Sequence, residues 1–187
     1  MLTDNDYEVA SFKLACDVNA VKAVAEVESH GSGFVAPGVP KTLFEGVEFH
    51  NRTGGVYDKD YPTISFPHWT REFYGHTPQA ELDRLHLACS LNPDAGFESA
   101  SYGAFQIMGY HWKDLGYASI TDFVTEMSKD DASHLDAFCR FILANPRIHK
   151  ALQNKDWNTF ALHYNGELQV SVYSKRMQDA YTEFSGG

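Results

Sequence analysis

Apolar residues recur at three- and four-residue steps through the second half of the chain, which is the spacing of a helix with one buried face. The clearest stripes run over residues 135–142 and 157–164. We expect the two helices that they predict to face one core. Similar stripes over residues 120–127 and 170–184 predict two further helices.

Helix start signals predict two more helices in the first half of the chain. Asp17 can cap a helix that runs to about Ser29, because an aspartate side chain accepts hydrogen bonds from the free amides of a first turn. Thr77 followed by Pro78 predicts the cap and first position of another helix, which runs to about Leu91.

Residues 31–69 have a different character, with four prolines, six glycines and no sustained helical stripe. They predict loops with a short strand, for which KTLFE (residues 41–45) is the best candidate. A hairpin is compatible with this segment, but its turn residues do not fix a partner strand. The whole pattern predicts a mainly α fold in a single domain over residues 1–187, with a helical lobe and a small irregular or β lobe.

Charge and composition narrow the possible functions. The formal net charge of -10 excludes a sequence-independent nucleic-acid binder, which needs a concentrated basic surface. No apolar run approaches the roughly 20 residues of a membrane span, and the N-terminus MLTDNDYEVA has no signal-peptide pattern, so we expect no stable membrane insertion. Three widely spaced cysteines predict free thiols in a reducing cytoplasm.

Two glutamates near the end of the first predicted helix face opposite ways. Glu26 shares a polar stripe with Asn19 and Lys22, whereas Glu28, about 200° further round, falls on the apolar side with Val24. A desolvated carboxyl has a raised pKa, which suits it to donate a proton. Pattern alone leaves two interpretations of Glu28 open, a general acid or a cap for the amides of the following loop.

A general acid for glycoside cleavage normally works with a second carboxylate. Glu45 follows the apolar residues of the strand candidate, so among the acidic residues of its segment it is the least typical of an exposed surface. Glu48, Asp58 and Asp60 lie in more polar surroundings typical of a helix or turn surface. The nine histidines lack the short paired spacing of a zinc site, so we expect no metal and no cofactor.

Three stretches occur together in the order VESHGSGF (residues 27–34), ESASYGAFQIMGYH (residues 98–111) and ALHYNGE (residues 161–167). Together they resemble the lysozyme superfamily, and most closely the N-acetylmuramidase family of single-domain phage endolysins and larger cell-wall hydrolases. The segment PKTLFEG (residues 40–46) is similar to that family as well.

The resemblance implies roles for the residues that match these motifs. Glu28 matches the helix-ending glutamate that is the catalytic acid in goose-type lysozymes and lytic transglycosylases. Gln106 matches a glutamine that makes polar contacts near the substrate. Tyr164 and Asn165 match a tyrosine and asparagine at the wall of the cleft, although Tyr164 also completes the apolar stripe of its helix.

Two further acidic residues are assigned by placement. Glu98 precedes, rather than ends, a recognisable helix, so we expect it to line or support the cleft instead of acting as the acid. The aspartate that follows the acid in another lysozyme type would fall at Pro37. The role of Glu45 as second carboxylate therefore rests on its placement and on family likeness.

The resemblance also implies a fold and a function. We expect a lysozyme-like fold with a cleft between the two lobes, and hydrolysis of the β-1,4 bond between N-acetylmuramic acid and N-acetylglucosamine in peptidoglycan glycan strands. A lytic transglycosylase that forms 1,6-anhydro ends and a non-catalytic wall-binding module remain alternatives. A monomeric endolysin would stay in the host cytoplasm until a holin-type pore releases it to the wall, while a secreted effector is equally compatible.

Overall fold

The computed structural model of the protein describes residues 1–29 and 33–186. The chain forms two compact units. The split unit combines Met1–Ser32 with Asp131–Gly187, and the inserted unit spans Gly33–Asp130. The single-domain prediction for residues 1–187 stays a prediction.

The expectation of a mainly α fold is confirmed. The helices, numbered along the chain, are α1 (Asp4–Leu14), α2 (Val18–Glu28), α3 (Gly46–Thr53), α4 (Pro78–Leu91), α5 (Pro93–Glu98), α6 (Ile120–Met127), α7 (Asp131–Ala144), α8 (Pro146–Asn154), α9 (Trp157–Tyr164) and α10 (Val170–Phe184). The strands are β1 (Phe34–Ala36), β2 (Val39–Pro40), β3 (Thr42–Phe44), β4 (Ala100–Tyr102) and β5 (Ile107–Met108). Short 3-10 helices span Gly109–His111 and Glu167–Gln169.

The split unit is a helical bundle in which α2 packs against α1, α8 and α10. The apolar face of α2 is buried along its length, as Val21 and Val24 show. The predicted stripes over residues 135–142 and 157–164 belong to α7 and α9, and most of their apolar side chains are buried. These helices therefore take their positions mainly from burial of apolar surface.

The inserted unit contains two small antiparallel sheets, β1-β2 and β3-β4-β5, with α3, α4, α5 and α6 around them. The predicted strand at residues 41–45 is confirmed at Thr42–Phe44. Its partner is the distant strand β4, with Leu43 opposite Ser101, and not a neighbouring hairpin strand. Packing of β3 against α4 fixes the strand from one side.

Both predicted helix starts are confirmed by their capping bonds. The Asp17 side chain accepts a hydrogen bond from the Asn19 amide at 2.9 Å, and the Thr77 hydroxyl accepts one from the Ala80 amide at 3.2 Å. The cysteine prediction is also confirmed in one respect, because all three thiols are free. Among the residues that the structure describes, no helix combines the length and the apolar character needed to cross a bilayer.

Two expectations for residues 31–98 are wrong. Residues 31–69 contain helix α3 as well as loops, and Glu98 ends helix α5 instead of preceding a helix. Helix α5 has only six residues and is started by the Asn92 side chain, which accepts from the Ala95 amide at 3.1 Å. A helix of this length completes fewer than two turns, which is too few to produce a visible apolar stripe.

Candidate active site

Glu28 is the last residue of α2, and its side chain is buried with 9% of its surface exposed. Glu26, two residues earlier, is exposed. The helical phase predicted this difference, because a step of two residues carries the side chain to the opposite face. The assignment of Glu28 to the apolar face is therefore confirmed.

The carboxylate of Glu28 is held by the side chain of Asn165. The Asn165 Nδ2 group lies 3.1 Å from each of the two carboxylate oxygens and donates to them. Asn165 is positioned by the end of α9, where its backbone amide donates to the Ala161 carbonyl at 2.8 Å. The two motifs that contain Glu28 and Asn165 are thus joined directly within the split unit.

Burial decides the proton affinity of Glu28. Desolvation raises the pKa of its carboxyl from 4.5 to about 7, while the hydrogen bond from Asn165 acts in the opposite direction. A carboxyl with this pKa holds its proton in a large fraction of molecules at neutral pH, whereas an exposed glutamate does not. The site can therefore supply a proton donor at neutral pH.

Tyr164 lies beside this pair in a cluster of aromatic rings. Its ring stacks on Phe160 at 5.5 Å and meets the edges of Phe138 and Phe141 at 5.7 Å each. Burial and the charge of Glu28 raise the pKa of Tyr164 well above its ordinary value. The tyrosine is therefore neutral and adds to the low-polarity surroundings of the acid.

The alternative interpretation is that Glu28 caps the backbone amides of the loop that follows it. Among the described residues, both carboxylate oxygens accept from Asn165. His30, Gly31 and Ser32 of the motif VESHGSGF lie outside the described residues. The observed partner is a side chain that the third motif supplies.

Glu45 occupies the position before the first turn of α3 in the inserted unit, directly after strand β3. Its side chain is half-buried and accepts a hydrogen bond from the Tyr74 hydroxyl. Its backbone amide donates to the Ser99 carbonyl at 2.8 Å. Burial and the contact with Glu45 raise the pKa of Tyr74 to about 12, so the hydroxyl remains a donor to the carboxylate.

A buried ion pair, which the sequence reasoning missed, fixes the surroundings of Glu45. Glu81 is 4% exposed and pairs with Arg84, whose Nη1 lies 3.0 and 2.9 Å from the two Glu81 oxygens. Glu81 also accepts from the backbone amides of Phe44, at 3.0 Å, and Gly75. The pair therefore holds the residue before Glu45 and the residue after Tyr74.

The signal for Glu81 was present in the sequence. Glu81, Leu85 and Ala88 follow each other at helical steps, and all three are buried on one face of α4. A carboxylate within an apolar stripe was the pattern that singled out Glu28. The same test applied to α4 would have found Glu81.

Gln106 makes its side-chain hydrogen bonds to the protein itself. Its Oε1 accepts from the Ser101 hydroxyl at 2.9 Å, and its Nε2 donates to the carbonyls of Gly103 and Lys41 at 2.9 and 3.2 Å. The backbone of Gln106 has φ +49°, a conformation that non-glycine residues rarely adopt. Gln106 also lines a cavity of about 300 Å³ with Lys41 and His76.

Glu98 has protein partners on both carboxylate oxygens. Arg52 Nη1 donates to Oε2 at 2.6 Å, and the indole of Trp112 donates to Oε1 at 2.7 Å. The backbone carbonyl of the following residue, Ser99, accepts a hydrogen bond from the backbone amide of Glu45. Glu98 thus belongs to the structure that supports Glu45.

The predicted site residues fall into two groups, each within one unit. Glu28, Tyr164 and Asn165 are together in the split unit. The inserted unit holds the other three, Glu45, Glu98 and Gln106. The first group forms one contact network around a buried carboxyl, and the second lies next to the ends of strands β3, β4 and β5.

Comparison with known proteins identifies the fold and the family of the chain. The chain is similar to the crystal structure of the Burkholderia AP3 phage endolysin, with 37% sequence identity and a TM-score of 0.93. The match covers 100% of this chain and 72% of the endolysin chain. A model of the N-acetylmuramidase family matches residues 17–185. No curated protein matches the chain.

The fold and the buried acid define a lysozyme-like enzyme. More narrowly, the chain belongs to the N-acetylmuramidase family, since the family match covers nearly all of it. It is a peptidoglycan hydrolase.

Proposed function

We propose that the protein is an endolysin that hydrolyses the β-1,4 bond between N-acetylmuramic acid and N-acetylglucosamine, with Glu28 as general acid. One observation carries the proposal. Glu28 is a buried carboxyl whose pKa is raised to about 7 at the end of a helix. Family membership supplies the substrate, because N-acetylmuramidases act on peptidoglycan.

In the proposed mechanism, protonated Glu28 donates to the glycosidic oxygen as the bond breaks through an oxocarbenium-like state. The Asn165 amide donor then faces the carboxylate that forms, and hydrogen bonds to ionised acceptors are stronger than those to neutral ones. Asn165 therefore stabilises the acid after it has given up its proton. Its Oδ1 atom is buried and accepts no hydrogen bond from the described residues, so it can accept from the protonated acid when the side-chain amide turns over.

Glu45 is the proposed second carboxylate, which positions or activates water. Its position before α3 and its hydrogen bond from Tyr74 support this role, because a half-buried carboxylate with a fixed donor has a defined orientation. Glu81 supports the same arrangement, because it accepts hydrogen bonds from the backbone amides of Phe44, next to Glu45, and Gly75, next to Tyr74.

The remaining site residues are proposed to contact or support the substrate. Tyr164 offers a neutral aromatic ring beside the acid, and Asn165 orients the Glu28 carboxylate through its Nδ2 donor. Gln106 lines the 300 Å³ cavity of the inserted unit, while Glu98 holds Arg52 and Trp112 in place.

We further propose that the protein acts as a monomer and as a single catalytic domain. As an endolysin, it would remain in the host bacterial cytoplasm until a holin-type pore opens a route to the wall. The likeness to a phage endolysin supports this setting.

Digestion of purified peptidoglycan with wild-type protein and with Glu28→Gln tests the proposed function. We expect the wild type to release fragments with reducing ends and the Glu28→Gln variant to release none, because glutamine cannot donate the proton. Glu26→Gln is the matched control, since Glu26 lies two residues earlier on the exposed face of the same helix.

Mass spectrometry of the fragments separates the possible reactions. Reducing N-acetylmuramic acid ends support hydrolysis, and 1,6-anhydro ends would assign the protein to the lytic transglycosylases instead. Glu45→Gln adds a second criterion, because a hydrolase that uses Glu45 to direct water should lose activity while a transglycosylase should tolerate the change. Binding to the wall without any released fragment would contradict both enzymatic assignments.

A further inference from the structure

Trp69 is an unusually exposed aromatic residue of the inserted unit, with 65% of its surface accessible. Exposure of a large apolar ring to water is unfavourable, and most tryptophan surface in folded proteins is covered. A tryptophan that stays exposed is therefore a candidate for a binding contact. The mechanism described above makes no use of it.

The indole of Trp69 is connected to Glu45 through one intermediate residue. The Tyr74 hydroxyl donates to the Glu45 carboxylate, and interaction with the Trp69 indole lowers the pKa of that hydroxyl. The indole therefore lies beside Tyr74, while its apolar ring remains accessible. The arrangement places an aromatic surface next to the residue that binds the proposed second carboxylate.

The segment that carries this contact is held from behind. The Arg84 guanidinium lies over the Tyr74 ring at 5.4 Å, and buried Glu81 binds the amide of Gly75. The Arg71 guanidinium lies 5.8 Å from the centre of the Trp69 ring. A ring held in this way loses little conformational freedom when a ligand covers it, which favours binding.

A pyranose ring is the ligand that fits such a surface. One face of the sugar carries C–H groups that pack on a flat aromatic ring, while its hydroxyl and acetamido groups stay hydrated or bind neighbouring polar groups.

We propose that Trp69 is a saccharide-stacking residue that binds one sugar of the peptidoglycan strand beside Glu45. The inference rests on the proposed function for the class of substrate. It adds a binding residue that lies outside the matched motifs.

Three variants separate stacking from an indirect effect through Tyr74. Trp69→Ala removes both the ring and its interaction with Tyr74, Trp69→Phe keeps an apolar ring without the indole N–H, and Tyr74→Phe removes the hydrogen bond to Glu45 while leaving the indole. Phe12→Ala is the matched control, because Phe12 is an aromatic residue that is 89% exposed in the split unit.

The measurements are kcat and KM on a soluble tetrasaccharide of alternating N-acetylglucosamine and N-acetylmuramic acid. Calorimetric binding of the same tetrasaccharide to the Glu28→Gln protein accompanies them. We expect Trp69→Ala to raise KM and Kd by roughly five- to tenfold, the effect of uncovering part of one aromatic face. Trp69→Phe should recover part of the loss, and Tyr74→Phe should lower kcat with little change in Kd.

The inference is overturned if Trp69→Ala changes Kd no more than the control Phe12→Ala does. It is also overturned if both Trp69 variants lower kcat alone, because the residue would then act only by positioning Tyr74. Failure of the proposed function gives a different result. In that case the wild type releases no reducing ends, while binding to the Glu28→Gln protein still reports whether Trp69 contacts the sugar.

Discussion

Replacing Glu28 with glutamine should stabilise the protein at neutral and alkaline pH. Glutamine has nearly the shape of glutamate but cannot ionise, so the variant avoids placing a charge in a desolvated position. Burial raises the pKa of Glu28 from 4.5 to about 7, and each tenfold change in an ionisation constant is worth about 1.4 kcal/mol. We therefore expect the free energy of unfolding to rise by about 3 kcal/mol at pH 8.

The direction of the pH dependence follows from the two ionisation states. The folded protein keeps the Glu28 proton up to about pH 7, whereas the unfolded chain releases it near pH 4.5. The stability that this proton supplies is full below pH 4.5 and is lost as the pH rises through 7. Wild type and Glu28→Gln should therefore unfold alike near pH 4 and diverge towards pH 8.

Urea unfolding at both pH values measures the difference. Thermal midpoints should agree with it, at about 2 to 4 °C for each kcal/mol in a protein of this size. The exposed Glu26→Gln variant should match the wild type throughout. A Glu28→Gln protein no more stable than the wild type at pH 8, or one whose gain persists at pH 4, would refute the burial argument.

The remaining predictions concern hydrogen bonds of three polar side chains at the candidate site. Asn165→Leu keeps the side-chain volume but removes the donor to Glu28, which raises the pKa of that carboxyl further. The alkaline fall in kcat/KM should therefore move to higher pH by roughly one pH unit. A pH-rate profile checks this, and an unmoved fall would contradict it. Glu81→Gln breaks a buried pair with Arg84 and should cost about 3 kcal/mol in urea unfolding, whereas a loss within error would show that the pair contributes nothing. Gln106→Ala removes three side-chain hydrogen bonds and should lower the free energy of unfolding by about 2 kcal/mol; an unchanged thermal midpoint would count against their importance.

Periodicity predicted α6, α7, α9 and α10 and the orientation of Glu28, because both depend on local geometry. The apolar face of α7 repeats over 14 residues and is visible in the sequence, whereas α1, with 11 residues, buries only Ala10 and Leu14 and shows no such stripe. The same geometry separates Glu26 from Glu28 without any tertiary information. Local sequence was therefore sufficient to select the candidate acid.

Contacts between distant segments could not be predicted in this way. Strand β3 pairs with β4, and Asn165 meets Glu28 across 137 positions of sequence. In neither case do the neighbouring residues in the sequence indicate which distant residue will be contacted. The resemblance identified Asn165 as a residue of the site, but only the structure shows that its amide donates to the acid.

The discontinuity of the split unit has a consequence for the order of events during synthesis. Helix α2 emerges early from the ribosome, but its packing partner α10 and the residue that holds its carboxylate are translated more than a hundred codons later. Until then Glu28 has neither its buried environment nor its amide partner, and a solvated glutamate titrates in the ordinary range. If Glu28 is the general acid, as proposed, chains truncated before α9 should therefore lack an effective proton donor.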